Sequence, residues 1–222
     1  MRHEIKIEIN HTDYLILRNR LSLLLSRDSH TDAHGEYRVR SLYFDDSFDS
    51  ALSDKINGVQ KREKFRIRFY NDNHSFIRLE KKIKINGLCD KISTEITKEE
   101  VEAILGGDID WLYKSSDDLL KELYSKMKIY FLRPKTIVEY IREPFVYEAG
   151  GVRITLDREI KTGLSNISIF DSELPLLNTF DAFAILEIKY NEFLPDIIKN
   201  AVSLANRHAT AFSKYAYCRK YD

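Results

Sequence analysis

Charged and apolar residues alternate along several segments of this chain. In Arg2-His3-Glu4-Ile5-Lys6-Ile7-Glu8-Ile9 every even position is charged and the odd ones are mostly apolar. The same period of two runs through Lys64-Phe65-Arg66-Ile67-Arg68-Phe69-Tyr70 and Arg78-Leu79-Glu80-Lys81-Lys82-Ile83-Lys84-Ile85. It returns more loosely in Tyr140-Ile141-Arg142, Val152-Arg153-Ile154-Thr155-Leu156-Asp157 and Ile185-Leu186-Glu187-Ile188-Lys189. Successive strand residues project to opposite faces, so these segments predict strands with one charged and one oily surface.

Turn and cap residues divide the rest. The pattern predicts a strand over 2–9, a helix from about Asp13 to Ser26 with Thr12 as N-cap, a strand over 38–45 and a short helix over 47–55. Asn57-Gly58 leads into a strand over 62–70. Asn71-Asp72-Asn73-His74 and Asn86-Gly87 have hairpin composition, predicting strands near 75–85 and 89–96. Thr97-Lys98-Glu99-Glu100 reads as a capping box for a helix over 98–105, with Gly106 as C-cap. A second helix over 117–128 completes a helical insert of about 97–130. Strands follow at 135–143, 152–159 and 183–190, then a helix from Pro195 to about His208. Hairpins with inserted helices predict an α+β fold. About eight strands with one charged face can close into an antiparallel β-barrel, which hides its edges.

With no linker, repeat or low-complexity tract, residues 1–222 read as one domain. The 43% hydrophobic and 12% aromatic content supports a sizeable core and excludes a disordered chain. The 35 basic and 35 acidic residues cancel, unlike the net basic footprint of a nucleic-acid binder, so no nucleic acid is expected as a partner. Acidic residues gather in Asp45-Asp46, Glu99-Glu100-Glu102, Asp108-Asp110 and Asp117-Asp118, away from the basic strands. Cys89 and Cys218 are too few for a disulfide framework or a thiolate metal site and fit a reducing compartment; Cys218, with no nucleophile motif around it, reads as a structural thiol. No secretory h-region and no apolar run near the ~20 residues that cross a bilayer occur. A cytoplasmic protein without direct membrane insertion is expected; a membrane-bound partner stays open.

Which way the charged face points decides the function. On an open sheet it is wetted and unremarkable. Inside a barrel, crowded like charges are costly unless an anion neutralises them. Lys64, Arg66 and Arg68, or Arg78, Lys82 and Lys84, would make an almost unbroken cationic stripe, whereas solvated faces more often mix in Thr, Ser and Gln. The density points to a sheet that holds a polyanion. Other chemistry is not signalled: there is no Walker A loop and no dinucleotide-binding glycine motif. The six histidines lack metal-ligand spacing, His30 and His34 falling in a loop.

Eight motifs occur in order: Arg2-His3-Glu4-x-Lys6; Ser41-Leu42-Tyr43-Phe44-Asp45; Asn57-Gly58-x-x-Lys61-Arg62-x-Lys64-x-Arg66-x-Arg68-x-Tyr70; Leu79-Glu80-x-Lys82-x-Lys84; Tyr140-x-Arg142; Val152-Arg153-Ile154-Thr155-x-Asp157; Leu186-Glu187-x-Lys189; and Phe212-Ser213-Lys214-Tyr215. In this set, which covers nearly the whole chain, the protein resembles the VTC domain in a free-standing, bacterial-type form. That domain is the polyphosphate polymerase module of the vacuolar transporter chaperone complex and belongs to the triphosphate tunnel metalloenzymes. The resemblance implies a closed antiparallel β-barrel whose basic tunnel binds a nucleotide triphosphate, with Mn²⁺ or Mg²⁺ held by acidic lumen residues. It further implies transfer of the γ-phosphoryl group of ATP to a growing inorganic polyphosphate chain, making ATP and polyphosphate the expected partners. Two departures stand out. Glu4-x-Lys6-x-Glu8 replaces the Glu-x-Glu-x-Lys of the triphosphatase branch, and Ala211 stands where eukaryotic polymerases carry a basic residue.

Phosphoryl transfer asks the protein for positioning and charge neutralisation. Arginine offers a planar fork to phosphate oxygens, and lysine a point charge. Arg66, Arg68, Arg142 and Arg153 are the expected phosphate clamps, and Lys6, Lys82, Lys84, Lys189 and Lys214 complete the cage, with Ser213 a donor beside Lys214. Lys64, Arg78 and Lys91 are expected at the tunnel mouths. Glu187, between apolar Leu186 and Ile188, is the first candidate for a Mn²⁺ or Mg²⁺ ligand. Glu4, Glu80 and Glu8 follow, with lysine pairing as the competing role. Tyr140 shares a face with Arg142 and could stack on adenine or simply pack. Two other readings keep the same cage: a hydrolase cleaving triphosphate or nucleoside triphosphate with water, and a non-catalytic polyphosphate sensor.

Overall fold

Two tight turns set the register of the central hairpins. Asn71-Asp72 (φ 50° and 55°) and Asn86-Gly87 (φ 50° and 87°) take left-handed backbone, whose twist suits the strands it joins. They connect β4 (Lys61–Tyr70), β5 (Asn73–Ile85) and β6 (Leu88–Ile96). Arg66 therefore lies opposite Glu80, and Lys82 opposite Lys91. The computed structural model describes residues 1–221.

These hairpins form one end of an antiparallel sheet in the order β1-β10-β8-β7-β3-β4-β5-β6. The remaining strands are β1 (His3–Ile9), β3 (Tyr37–Asp45), β7 (Arg133–Tyr147), β8 (Val152–Thr162) and β10 (Ala184–Tyr190). Two short strands lie off the path: β2 (Ser26–Arg27) pairs with β7, and β9 (Leu177–Asn178) with β8. The α+β class holds, and the expected barrel is not closed by a hydrogen-bonded ladder. The terminal strands β1 and β6 share a single bridge, Arg2 with Cys89, whose backbone hydrogen bonds measure 2.8 and 2.9 Å. No ladder joins them among the described residues. Side chains span the seam instead, with the Lys82 ammonium 2.7 Å from Glu4.

The oily side of the alternation packs outward. Phe65, Ile67 and Leu79 meet the helical insert α3 (Lys98–Gly106), α4 (Asp110–Lys114) and α5 (Asp118–Ile129) through Val101, Leu112 and Leu123. Ile154, Leu186 and Ile188 meet α1 (His11–Leu24) and α6 (Asp196–Val202) through Leu17, Leu21 and Ile198. A third cluster lies on the charged side, where Tyr43, Tyr140 and Ile185 pack against Tyr215 and Cys218 of α7 (Lys214–Cys218). Burying these side chains stabilises the sheet on both faces, at about 1.5–3 kcal/mol for each large aliphatic one.

Local chemistry explains several departures from the sequence pattern. Asn10, not Thr12, caps α1: its side chain accepts from the Asp13 N–H at 2.8 Å and Asp13 reciprocates. Thr97 and Glu100 do form the expected capping box, but Gly107 rather than Gly106 is the C-cap, at φ 85°. The strand expected to stop at 143 runs to Tyr147, because Pro144 needs only its carbonyl, which accepts from Asp28 at 3.5 Å. The last long helix ends at Val202, ahead of left-handed Asn206 (φ 59°). The chain then returns to β1 through a Thr210 to Lys6 backbone bond of 2.8 Å. No helix among the described residues is long and apolar enough to cross a membrane.

Candidate functional site

The charged face of the sheet surrounds a cavity of about 1090 Å³. Fourteen Lys and Arg side chains line it against five Asp and Glu, in a chain whose net charge is zero. The period-two alternation of β1, β4, β5 and β10 delivers eight of these fourteen cations to one space, and β7 and β8 add Arg142 and Arg153.

Three carboxylate-centred clusters order the wall. Arg66 donates from Nε to Glu80 at 2.7 Å and from Nη1 to the Tyr43 hydroxyl at 2.9 Å. Its neighbour Arg68 donates to Ser41 Oγ at 2.9 Å and to the Tyr140 hydroxyl at 3.1 Å. Glu80 also receives Lys91 at 2.7 Å. Arg142 grips Asp157 through two bonds of 2.7 and 2.8 Å, and Lys214 reaches the same carboxylate at 2.5 Å. The third cluster straddles β1 and β10. There Lys6 lies 3.4 Å from Glu4 and 3.6 Å from Glu187, while Lys189 is 2.5 Å from Glu187. Apart from these, Arg153 is held by Asp28 at 2.5 Å and the Tyr37 hydroxyl at 2.9 Å.

These clusters fix charge states. Burial pushes the Glu4, Glu80 and Glu187 carboxyls up, yet adjacent cations hold all three below the usual carboxylate range. Lys6 and Lys82 act at Glu4, Arg66 and Arg68 at Glu80, and Lys189 and Lys6 at Glu187. Arg142 and Lys214 lower buried Asp157 in the same way. Burial raises the Tyr140 phenol to about 12, so it stays protonated. Lys64 behaves oppositely. Burial, reinforced by Lys6 and Lys82 and only partly offset by Asp45, pulls its ammonium down to about 7. Its contacts are Ser213 Oγ at 3.5 Å and the Tyr215 ring at 4.7 Å.

Of the residues singled out in the sequence, Lys6, Lys64, Arg66, Arg68, Lys82, Lys84, Lys91, Arg142, Arg153, Glu187, Lys189, Ser213, Lys214, Tyr140 and Glu4 all line the cavity. Glu80 does not; it sits behind the wall, 1% exposed, with its oxygens occupied by Arg66 and Lys91. Arg78 points elsewhere, 3.5 Å from Glu95 and over the Phe76 ring, and Glu8 is exposed outside the cavity. Tyr140 is 2% exposed and its ring carries Arg142 and Lys214 within 5.2 and 4.6 Å. It is a support for cations rather than an open surface for a base.

Sequence reasoning gave no role to Asp157, Asp28, Tyr37 or Asp45. Asp45 accepts from the backbone of Ala51 and Leu52 at the start of α2 (Ser50–Ile56) and from the Tyr215 hydroxyl at 2.5 Å. It thereby fixes α7 and its neighbour Ser213. The available signal was the alternation itself, which puts Asp157 on the same face as Arg153 and Thr155. Among the described residues no group of three or more His, Cys, Asp or Glu side chains is arranged to hold a metal.

The sequence pattern of the VTC domain matches residues 1–221. No curated protein sequence matches the chain. Similar solved structures include a candidate adenylate cyclase from Bacillus halodurans, at 13% identity and TM-score 0.51, with 90% of this chain and 85% of that chain covered. Another is the PH1819 protein from Pyrococcus horikoshii OT3, at 17% identity and TM-score 0.44, covering 91% and 84%. The Bacillus halodurans likeness shows a shared fold. The ordered motifs, the cation-lined cavity and the match over residues 1–221 lead to one assignment: the chain belongs to the VTC domain family.

Proposed function

We propose that this protein is an ATP-dependent polyphosphate polymerase. The observation that carries the reading is the cavity lined by fourteen basic side chains against five acidic ones; Glu80 and Asp157 behind the wall offset part of that excess, and a polyanion of several phosphates would neutralise the remainder. Arg66 and Arg68, held by Glu80, Tyr43, Ser41 and Tyr140, are forks set in place before substrate arrives. Glu80 is their positioning residue. Arg142 and Arg153 complete the clamp, with Lys6, Lys82, Lys189 and Lys214 as point charges and Ser213 as a hydroxyl donor; Lys84, expected in the cage, stands instead beside Arg62 at one end of the cavity. A terminal oxygen of the acceptor chain attacks the γ-phosphorus of ATP. The new P–O–P bond forms as the bond to the β-phosphate oxygen breaks, and ADP leaves with that electron pair. The cage spreads and neutralises charge on the transferred group throughout.

Glu187 and Glu4 face the cavity, are held ionised, and have lysines as their ion-pair partners. Two such oxygen donors fit Mn²⁺ or Mg²⁺, which bind through one or two carboxylates besides substrate phosphates. The ion would add charge neutralisation at the phosphoryl oxygens. The reading also places the protein in the cytoplasm, where ATP is available. Purified protein incubated with ATP and Mn²⁺ should yield a ladder on a polyphosphate-stained gel. Orthophosphate without polymer would instead mark a hydrolase, and polyphosphate binding with no consumption of ATP under any metal would mark a sensor.

A further inference from the structure

The two ends of the cavity differ. Arg62 and Lys84 face each other across the β4–β5 ladder at one end, whereas Tyr70, Asn73 and Phe76 of the same strands stand at the other. The strand from Arg62 to Tyr70 spans roughly 26 Å at ~3.3 Å per residue. At the Arg62 end, Lys55 of α2 joins Arg62 and Lys84 around a recess of about 450 Å³. Lys55, Arg62, Lys84 and Ala211 line both this recess and the main cavity, so the two adjoin.

Lys55, Arg62 and Lys84 have no carboxylate partner among the described residues, in contrast to the cage, where Glu4, Glu80, Asp157 and Glu187 answer the cations. Burial, together with Arg62, Lys6 and Lys84, lowers the Lys55 ammonium, as expected where like charges gather without counter-ions. No aromatic ring lines the recess, so it offers nothing for a base to stack on, unlike sites for single-stranded nucleic acid.

We propose that Lys55, Arg62 and Lys84 form a docking subsite for a linear inorganic phosphate chain longer than a triphosphate, holding the acceptor while its end reaches the cage. This rests on the polymerase reading above. The paired cage takes the nucleotide triphosphate, and the unpaired cations take the chain that extends beyond it.

The test is binding without turnover. Wild type and a Lys55→Gln/Arg62→Gln/Lys84→Gln variant are titrated calorimetrically with inorganic triphosphate and with long-chain polyphosphate across a range of salt. The variant should lose about tenfold or more in long-chain affinity, and its salt slope should flatten by about two units, ~0.7 per lost phosphate contact. Triphosphate affinity should stay within about twofold. A Lys55→Arg/Arg62→Lys/Lys84→Arg variant should keep near wild-type long-chain affinity, which a folding defect would not allow. Equal losses for both ligands, or an unchanged long-chain affinity, overturn the separate subsite but not the polymerase reading. Wild type that binds neither ligand overturns the polymerase reading as well.

Discussion

The cations of the cage and those of the Lys55–Arg62–Lys84 mouth share one cavity but are held in opposite ways. In the cage each buried cation meets a carboxylate: Arg66 meets Glu80, Arg142 and Lys214 meet Asp157, and Lys6 lies between Glu4 and Glu187. At the mouth the half-buried cations gather near one another without a carboxylate partner among the described residues, Arg62 donating only to the Val59 carbonyl. Pairing lets a side chain remain buried and oriented without ligand, at the cost of part of its free charge. Leaving cations unpaired near solvent keeps that charge available to an incoming anion. One region is built for placement and the other for capture.

The largest effect should come from breaking a pair inside the cage. Asp157→Ala leaves Arg142 and Lys214 buried with no counter-charge and should cost about 3–5 kcal/mol of stability, read by urea denaturation. Excess inorganic triphosphate should recover part of that loss, since ligand binding to the folded state adds stability by mass action. Lys84→Ala at the mouth should cost little or nothing. If the two variants prove equally stable, the distinction between the regions collapses.

A second variant separates chemistry from binding within the paired region. Glu187→Gln keeps the side-chain shape but removes the carboxylate facing Lys6 and Lys189. Turnover of ATP should fall at least a hundredfold, about 2.7 kcal/mol of barrier, while long-chain polyphosphate affinity stays near wild type. Unchanged turnover would remove Glu187 from the metal-binding role.

Away from both regions, Thr97→Ala removes the cap that accepts from Glu100 N–H at 3.2 Å in the helical insert. It should cost about 1 kcal/mol of stability and leave triphosphate affinity untouched, because α3 packs on the outer face of the sheet. A change in affinity would mean that the insert shapes the cavity.

Much of this arrangement was legible along the chain because strand alternation is local. Arg66, Arg68, Lys82 and Glu187 reach the cavity by the same period that sends Ile67, Leu79 and Leu186 outward. Pairing was less legible. That Arg142 lies opposite Asp157 depends on the β7–β8 register, which shifts between Glu139 and Ile141. The shape of the seam depends on how far β1 and β6 approach after the whole sheet has curved, so the single Arg2–Cys89 bridge left no local signal. Short elements were hidden for another reason. Helix α7 spans five residues, Lys214–Cys218, too few for a helical period to show. Asn10 and Thr12 are both good cap residues, and only the reciprocal bond from Asp13 decides between them.

Lys64 lies between the two regions and gives the smallest and most specific test. It lines the cavity like the cage cations, yet no carboxylate pairs with it, and burial followed by Lys6 and Lys82 pulls it down to about 7. In the unfolded chain it would hold its proton to about 10.4. Between those values the unfolded state binds more protons than the folded one, so this group makes stability rise with pH across about 7 to 10.4, with no further change below that window. A bound polyanion favours the charged form, so binding near pH 8 should draw a fraction of a proton onto Lys64. Calorimetry of inorganic triphosphate binding in two buffers of different ionisation enthalpy reads that proton directly. Wild type should take up more than Lys64→Met near pH 8, and the difference should vanish near pH 6, where Lys64 is already charged. Comparing the two proteins removes the ligand's own titration. Equal uptake by both near pH 8 would mean that Lys64 is already charged in the free cavity, and the boundary between paired and unpaired cations would lie elsewhere.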